Sequence, residues 1–411
     1  MNIIIVSLNP ADEIFLSKEI EHLKKDNNII FISRDREQYE NVTIKSDDNI
    51  KAYVIDDPMH NKSKWLANVV LSMSKPEMWK ELSFARKNKS FSMNSVKKAL
   101  YYSAGSAIDT GNIVKILKEN KISPEDHTVL YSYRMNSGAL TVVKLKDYFK
   151  DAKCVARAHS IDLYEFRQLD NYLPFRRKIL NGLAMLYCIS QDGKDYVDQY
   201  SFPHCRVEVA RLGTKDYGIE KTELRDHAER KPLLVSCSRI SPEKRIEKII
   251  DALALIDEEV QWVHIGGGDT IDELKKYAHE KLGSKSNIYY GIVGNMDNEE
   301  VIRYYSDHYI NTFVNVSSAE GIPVSIMEAS SFGIPSIATD VGGTGEIIKD
   351  EYNGFLLPAD FSDELLASKI LSLIKDRSKA EQMRKNAREE WENDYNEERN
   401  YQLFAESVFR L

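Results

Sequence analysis

Two glutamates eight residues apart are the side chains of this sequence that are best placed for chemistry. Glu320 precedes Pro323, where the sequence predicts that a helix begins, and Glu328 falls within that helix. Proline suits the first helical position, because its φ is fixed and its missing N–H is not needed there. The free N–H groups of a helix start attract phosphate oxygens, and carboxylates accept hydrogen bonds from sugar diols. The segment is therefore predicted to bind a sugar beside a phosphate.

Two cationic side chains follow a predicted strand at 232–238. Arg239 and Lys244 combine a guanidinium fork with an ammonium group. Such a pair neutralises a pyrophosphate and stabilises its negative charge as it leaves. No Asp-x-Asp follows a hydrophobic strand in this sequence, so we expect Arg239 and Lys244 to replace a divalent ion. The sequence thus predicts no metal site and no cofactor.

The elements that must position these residues are short hydrophobic strands that alternate with amphipathic helices. This pattern is typical of parallel sheets with crossover helices, and it occurs once in each half of the chain. We predict an α/β protein with two doubly wound, Rossmann-like domains. The predicted boundaries are 1–208 for the first domain, 209–390 for the second, and 391–411 for a final helix that can cross back to the first. The two glycines of 210–218 suit an interdomain linker.

Composition excludes several classes of protein. The 411 residues are 42% hydrophobic and 29% charged, which is typical of globular domains. No apolar run approaches the length of a transmembrane helix, and four scattered cysteines suggest a reducing, cytoplasmic environment. The net charge of −8 divides unevenly, because residues 1–205 contain 30 basic and 26 acidic residues. An acidic chain without a recognition module is not expected to bind nucleic acid.

The segment 61–105 interrupts the pattern of the first half. It contains nine Lys and Arg residues, two glutamates, and the tryptophans Trp65 and Trp79. A basic amphipathic surface of this kind can contact an anionic membrane, although a helical insertion packed on the sheet has the same pattern.

The block 316–346 resembles the donor-binding signature of retaining glycosyltransferases of family 4, the Glu-x7-Glu motif. GlyIlePro at 333–335 and GlyGlyThrGlyGlu at 342–346 belong to the same resemblance. The segment 237–253 is similar to the family's Arg and Lys that grip the donor diphosphate. ArgAlaHisSerIleAspLeuTyrGlu at 157–165 resembles the histidine segment of bacterial polysaccharide-assembly members.

This resemblance implies a GT-B architecture, with an acceptor domain, a nucleotide-sugar domain and a cleft between them. It implies transfer of a hexose from a nucleotide-sugar, with a UDP-sugar favoured, to a saccharide or lipid-linked saccharide at the inner face of the cell membrane. The implied catalytic residues are His159, Arg239, Lys244 and Glu320. The implied donor-binding residues are Gly294, Gly321, Ile322, Pro323, Val324 and Glu328. The loop at 7–13 departs from the family, because it lacks the frequent glycine-rich sequence.

Two other kinds of protein share this predicted plan. A nucleotide-sugar epimerase or a phosphorylase would use the same two domains with different chemistry. A non-catalytic, glycosyltransferase-like partner protein would keep the fold alone, yet it would not need Arg239, Lys244, Glu320 and Glu328 together. The sequence therefore favours a glycosyltransferase.

Overall fold

The computed structural model describes residues 1–8, 13–34, 49–149, 151–200, 202–218 and 231–411. Two compact units divide the chain. The first contains Met1–Ala210 together with Tyr401–Leu411, and the second contains Arg211–Asn400.

The first unit is built on a parallel sheet of seven strands in the order β3-β2-β1-β4-β5-β6-β7. The central strands are buried on both faces, which explains their continuous apolar sequences, as in Ile3, Ile4 and Ile5. The chain runs outward from β1 in both directions, so the strand order reverses between β1 and β4. The strands are β1 (Asn2–Ser7), β2 (Asn28–Ser33), β3 (Ile50–Val54), β4 (Thr128–Ser132), β5 (Lys153–Ala158), β6 (Met185–Cys188) and β7 (Arg206–Val209).

Helices flank this sheet, and the basic segment 61–105 is itself helical. Asn61 caps the first helix of that segment and Ser92 caps the third, because each side chain accepts a hydrogen bond from a backbone N–H of the first turn. The helices are α1 (Glu13–Leu23), α2 (Lys62–Ser74), α3 (Pro76–Lys87), α4 (Met93–Glu119), α5 (Ser137–Leu145), α6 (Ser160–Leu163), α7 (Arg176–Gly182) and α8 (Gln191–Asp198).

The second unit has a parallel sheet of six strands in the order β10-β9-β8-β11-β12-β13. Here the strand order reverses between β8 and β11. Open α/β sheets bind ligands at the carboxyl ends of the strands on either side of such a reversal. The strands are β8 (Leu233–Cys237), β9 (Val260–Ile265), β10 (Ile288–Gly294), β11 (Thr312–Asn315), β12 (Ser336–Thr339) and β13 (Gly354–Leu357).

The alternation of strands and helices in the sequence predicts one helix over 242–256, and the start of that helix is wrong. Pro242–Lys244 form a 3-10 turn, and the α-helix starts only at Glu247, because Arg245 between them adopts a left-handed φ of 48°. The helices of this unit are α9 (Glu247–Ala254), α10 (Ile271–Leu282), α11 (Asn298–Asp307), α12 (Val324–Ser331), α13 (Thr344–Ile347), α14 (Asp363–Lys375), α15 (Arg377–Asp394) and α16 (Glu397–Phe409).

The last of these helices, α16, passes from the second unit to the first. Its residues from Tyr401 onward belong to the first unit, where Phe404, Ala405 and Val408 are buried in the core. None of the helices in the described ranges is both long and apolar enough to cross a membrane. The two sheets confirm the predicted α/β architecture of two doubly wound parallel sheets.

Candidate active site

The loops after β8 and β11 contain most of the predicted site residues of the second unit. Arg239 and Lys244 follow β8, and Glu320 follows β11. Because β8 and β11 are hydrogen-bonded neighbours at the reversal of strand order, both loops leave the same edge of the sheet. The topology therefore brings the predicted cations and the predicted carboxylate to one place.

Lys244 and Glu320 form an ion pair at this edge. The Lys244 Nζ lies 2.7 Å from the Glu320 Oε1, and both side chains are largely buried, with 22% and 12% exposed. Asn315 Nδ2 donates a second hydrogen bond to the same carboxylate oxygen at 3.3 Å. The backbone N–H of Ser318 donates to the Glu243 carbonyl at 2.7 Å, which ties the two loops together. The ammonium group is thus held beside the carboxylate.

Arg239 occupies a more open position on the same loop. Its side chain is 74% exposed, and its guanidinium lies 4.0 Å from the Asp269 carboxylate. The loop that carries Arg239 runs against the glycines at 266–268: a Cβ on Gly266 would lie 1.9 Å from the Ser238 carbonyl oxygen. These glycines permit a close approach of two backbones.

The start of α12 lies directly after Glu320. Pro323 has a ψ of 105°, so it precedes the helix and Val324 is the first helical residue, one position later than predicted. Gly343 N–H donates to the Gly321 carbonyl at 2.6 Å. A Cβ on Gly342 would lie 2.2 Å from the Glu320 carbonyl oxygen. The glycines at 342–343 therefore support the segment that is predicted to bind the sugar.

Three further donor residues have well-defined surroundings. Ile322 is 7% exposed, so its backbone rather than its side chain is suited to a ligand contact. Glu328 accepts a hydrogen bond at 2.7 Å from Nδ2 of Asn298, in the first turn of α11. Gly294 ends β10 with a φ of 80°, and its carbonyl accepts from Gly266 N–H at 2.8 Å. Asn298 was missed by sequence reasoning, because nothing in its local sequence links it to Glu328.

Arg245 is a second residue that the sequence did not single out for a role. Its Nε donates to the Val316 carbonyl at 2.7 Å, and its Nη1 donates to the Ala359 carbonyl at 2.8 Å. Further bonds reach the Ser317 carbonyl and Thr339 Oγ1, each at 3.2 Å. One side chain thus fastens the ends of β11 and β12 to the loop that contains Lys244. We interpret Arg245 as a positioning residue.

Substitution of Arg245 is expected to misplace Lys244 without removing any group that contacts the donor. Arg245→Gly keeps the left-handed backbone but loses the guanidinium contacts, and we expect kcat to fall roughly 10–100-fold. Arg245→Ala also loses these contacts, and unlike glycine it retains about 1–2 kcal/mol of left-handed backbone strain. Its melting temperature should therefore lie below that of the glycine variant. Arg245→Lys keeps the positive charge but lacks the forked guanidinium that donates to several carbonyls. Full recovery of kcat in Arg245→Lys would contradict this role.

His159, in the first unit, follows β5 and precedes α6. Its ring packs against Tyr133 with centroids 4.9 Å apart. Desolvation of the largely buried ring, followed by the positive charges of Arg134 and Arg157, holds the pKa of His159 well below its usual value. The ring is therefore neutral at pH 7, and its Nε2 has no hydrogen-bond partner among the described residues. A neutral imidazole can donate to or accept from a sugar hydroxyl.

The loop before α6 is held in place by Asp162. This carboxylate accepts a hydrogen bond from the His159 backbone N–H at 2.6 Å and one from the Met135 N–H at 3.1 Å. The loops after the neighbouring strands β4 and β5 are thereby joined. Part of the atypical loop at 7–13 lies outside the described residues. The described ranges contain no cluster of three or more His, Cys, Asp and Glu side chains that could hold a metal ion.

Comparisons with known proteins identify sequences and folds that this chain resembles. Residues 220–390 match the family model described as Glycosyl transferases group 1. The O-antigen biosynthesis glycosyltransferase WbnH of Escherichia coli is 27% identical over 247 residues, which are 59% of this chain and 65% of that protein. The amylovoran biosynthesis glycosyltransferase AmsK of Erwinia amylovora is 26% identical over 63% of this chain and 64% of its own length. The match thus spans slightly less than two thirds of these relatives.

Two solved structures share the fold along the whole chain. The Anabaena protein HepE in complex with UDP has a TM-score of 0.68 and 15% identity, with 100% of each chain covered. The lipopolysaccharide outer core galactosyltransferase WaaB has a TM-score of 0.67 and 15% identity, with 100% of this chain and 99% of that chain covered. The predicted resemblance is thereby confirmed: the chain has the GT-B fold, its residues 220–390 match the group 1 glycosyltransferase model, and its sequence is similar to bacterial polysaccharide-assembly glycosyltransferases.

Proposed function

We propose that this chain is a retaining glycosyltransferase that transfers a hexose from a UDP-sugar to a hydroxyl of a saccharide or lipid-linked saccharide. The observation that carries the proposal is the Lys244–Glu320 pair, 2.7 Å apart, at the carboxyl ends of two adjacent strands. In this proposal Lys244 is the cation for the diphosphate and Glu320 is the carboxylate for the sugar hydroxyls, at the edge where open α/β sheets bind ligands.

In the proposed reaction the acceptor oxygen forms a bond to the anomeric carbon on the face from which the diphosphate leaves. The bond between the anomeric carbon and the phosphate oxygen breaks, and the acceptor proton passes to the departing phosphate. Arg239 and Lys244 stabilise the charge that accumulates on this leaving group. Since two cationic side chains supply that stabilisation, we propose that the reaction needs no metal ion.

The remaining site residues bind and orient the donor in this proposal. Glu320 and the backbone amides of Gly321 and Ile322 hold the sugar, beside the start of the helix at Val324. Glu328 accepts hydrogen bonds from the ribose hydroxyls. These bonds either add to the hydrogen bond from Asn298 or replace it. The neutral ring of His159 hydrogen-bonds the transferring sugar or the diphosphate.

The donor and acceptor are proposed from what similar proteins are named for. HepE was solved with UDP and also with UDP-glucose, which favours a UDP-sugar. WbnH and AmsK are named for O-antigen and amylovoran biosynthesis, and both products are polysaccharides. We therefore propose a role in cell-surface polysaccharide synthesis at the cytoplasmic face of the membrane, where a lipid-linked acceptor would be presented.

Thermal unfolding with a panel of nucleotide-sugars in EDTA tests the proposal. A ligand that binds only the native state stabilises it by about 2.7 kcal/mol at a hundred times its Kd. We expect one class, the UDP-sugars, to raise the melting temperature of the wild type. The Glu328→Gln variant should lose most of this shift, whereas Glu299→Gln, an exposed glutamate on α11, should keep it.

Three outcomes would overturn parts of the proposal. The absence of a shift with any nucleotide-sugar would favour a non-catalytic partner protein. Turnover of a nucleotide-sugar without an acceptor would indicate an epimerase. A shift that appears only with a divalent ion would exclude the metal-independent reaction.

A further inference from the structure

Helix α2 exposes an apolar surface on the first unit. Ser72 is the only buried residue of this 13-residue helix. Leu66, Val70, Leu71 and Met73 are between 46% and 63% exposed. Apolar side chains in water are unfavourable, and a contiguous group of them on a described surface marks an interaction site.

The inward side of α2 is fixed against α4, so its exposed side has a defined direction. Trp65 packs on Tyr101 with ring centroids 5.7 Å apart. Ser103 Oγ donates to Ser72 Oγ at 3.0 Å, and Lys64 Nζ donates to Asn112 Oδ1 at 3.1 Å. These contacts hold α2 in one orientation.

The outward side of α2 continues onto α3 through one aromatic side chain. Leu66, Val70 and Met73 repeat at the spacing of one helical face. Trp79 is 57% exposed, and its indole N–H donates to the Met73 carbonyl at 2.7 Å. The indole N–H of Trp79 therefore has a hydrogen-bond partner, while the ring is exposed to solvent. We call Leu66, Val70, Leu71, Met73 and Trp79 the α2 face.

The charge around the α2 face is positive. The sequence between Asp57 and Glu77 contains Lys62, Lys64 and Lys75 but no acidic residue. Glu77 is neutralised by Lys178, whose Nζ lies 2.5 Å from its carboxylate.

The second glutamate of 61–105, Glu81, is withdrawn from the surface. It is 9% exposed and accepts hydrogen bonds from Tyr172 OH at 2.8 Å and from Phe175 N–H at 2.9 Å. Neither glutamate of the segment therefore offsets its lysines at the surface.

Positive charge extends past the C-terminal end of α2. Lys75 lines a pocket of about 610 Å³ together with Lys144 and Lys178, against the carboxylates of Glu77 and Asp147. Burial, followed by the charges of Lys178 and Lys75, lowers the pKa of Lys144 to about 8. The two carboxylates offset two of these three lysines, so the lining of this pocket has a net charge of +1.

We propose that the α2 face docks the protein on the surface of an anionic phospholipid bilayer. Leu66, Val70 and Trp79 enter the boundary between headgroups and acyl chains, while Lys62, Lys75 and Lys80 contact lipid phosphates. A second copy of the chain is a poor alternative occupant, because two such faces would bring like charges together. The proposal deepens the proposed function and rests on it only for the lipid-linked acceptor. Binding to lipid is measured without any sugar donor, so either proposal can fail without the other.

Co-sedimentation of the full chain with vesicles tests this docking surface. We expect binding to vesicles that contain phosphatidylglycerol, weak binding to pure phosphatidylcholine, and weaker binding as salt increases. The variant Lys62→Gln/Lys75→Gln/Lys80→Gln should lower the partition coefficient about a hundred-fold, at roughly five-fold for each lysine. The variant Leu66→Ser/Val70→Ser should lose binding even at low salt.

Matched controls use residues of equal exposure outside the segment. Leu255→Ser changes an exposed leucine of the second unit, which is 49% exposed, and Lys275→Gln/Lys276→Gln changes two exposed lysines of α10. Both should bind as the wild type does, and the nucleotide-sugar shift should be unchanged in every variant.

A wild type that stays in the supernatant would overturn the proposal, as would equal binding of the test and control variants. Self-association that Leu66→Ser/Val70→Ser abolishes, without lipid binding, would assign the face to a second copy instead.

Discussion

Replacement of Lys244 by alanine is expected to lower kcat by about 10²–10³-fold, because it removes a fixed positive charge from the leaving diphosphate. The effect should be larger on kcat than on the KM for the donor, since the negative charge on the leaving phosphate grows as the bond breaks. Glu320 would keep its hydrogen bond from Asn315, so the loop should remain folded. Steady-state kinetics with the donor identified by thermal unfolding measure the change.

Lys248 provides a matched control for this prediction. Its Nζ lies 2.9 Å from the Asp363 carboxylate in the same unit, and the two side chains are more exposed than the Lys244–Glu320 pair, at 36% and 29%. Lys248→Ala should leave kcat within about two-fold of the wild type, since surface ion pairs contribute little. Equal kinetics for Lys244→Ala and the wild type would contradict the assignment of Lys244 to the diphosphate.

Replacement of Arg157 by methionine is expected to destabilise the first unit by about 3–5 kcal/mol. The Arg157 Nη2 lies 2.7 Å from the Glu19 Oε1, and both side chains are fully buried. Loss of the arginine removes the positive charge beside the buried Glu19 carboxylate, which keeps a hydrogen bond from Tyr131 OH at 2.6 Å. The arginine also donates to the Ala210 carbonyl at 2.6 Å and lies over the Phe404 ring at 4.6 Å. Hydrogen exchange resolved by mass spectrometry should show faster exchange in β1, β4 and β5.

Two further variants distinguish the buried charge from simple loss of packing. Arg206→Met breaks an ion pair with Glu208 that is largely exposed, so exchange should not change. The double variant Glu19→Leu/Arg157→Met removes both buried charges and should recover part of the lost protection. If the double variant exchanged faster than Arg157→Met alone, the buried charge would not be the cause.

The sheets and most helices could be predicted because their signal is local. Continuous apolar sequences such as 3–6 are typical of strands buried on both faces, and the helical periodicity between them fixes the crossovers. The break at Arg245 could not be predicted, because its left-handed backbone is stabilised by contacts more than 70 residues away in sequence, with Val316, Thr339 and Ala359. Local sequence patterns do not predict contacts between residues that are so far apart in sequence.

The candidate site likewise contains contacts that the sequence predicts and contacts that it does not. The approach of Lys244 to Glu320 follows from the positions of their strands, so motif and topology together predict it. The hydrogen bond of Asn298 to Glu328 joins two helices and has no local signature. The close approach of the Gly266 backbone to Ser238 also joins two loops and has no local signature.

The path of α16 has a consequence for the protein when its chain is cut. A single cleavage near residue 215 would produce two fragments, and the second would still contain residues 401–411, which complete the core of the first unit. Phe404, Ala405 and Val408 are almost fully buried there, so each fragment contains part of the same hydrophobic core. The nicked halves should therefore co-purify, and a chain shortened before Tyr401 should lose the core contacts of a unit that is encoded almost entirely at its other end.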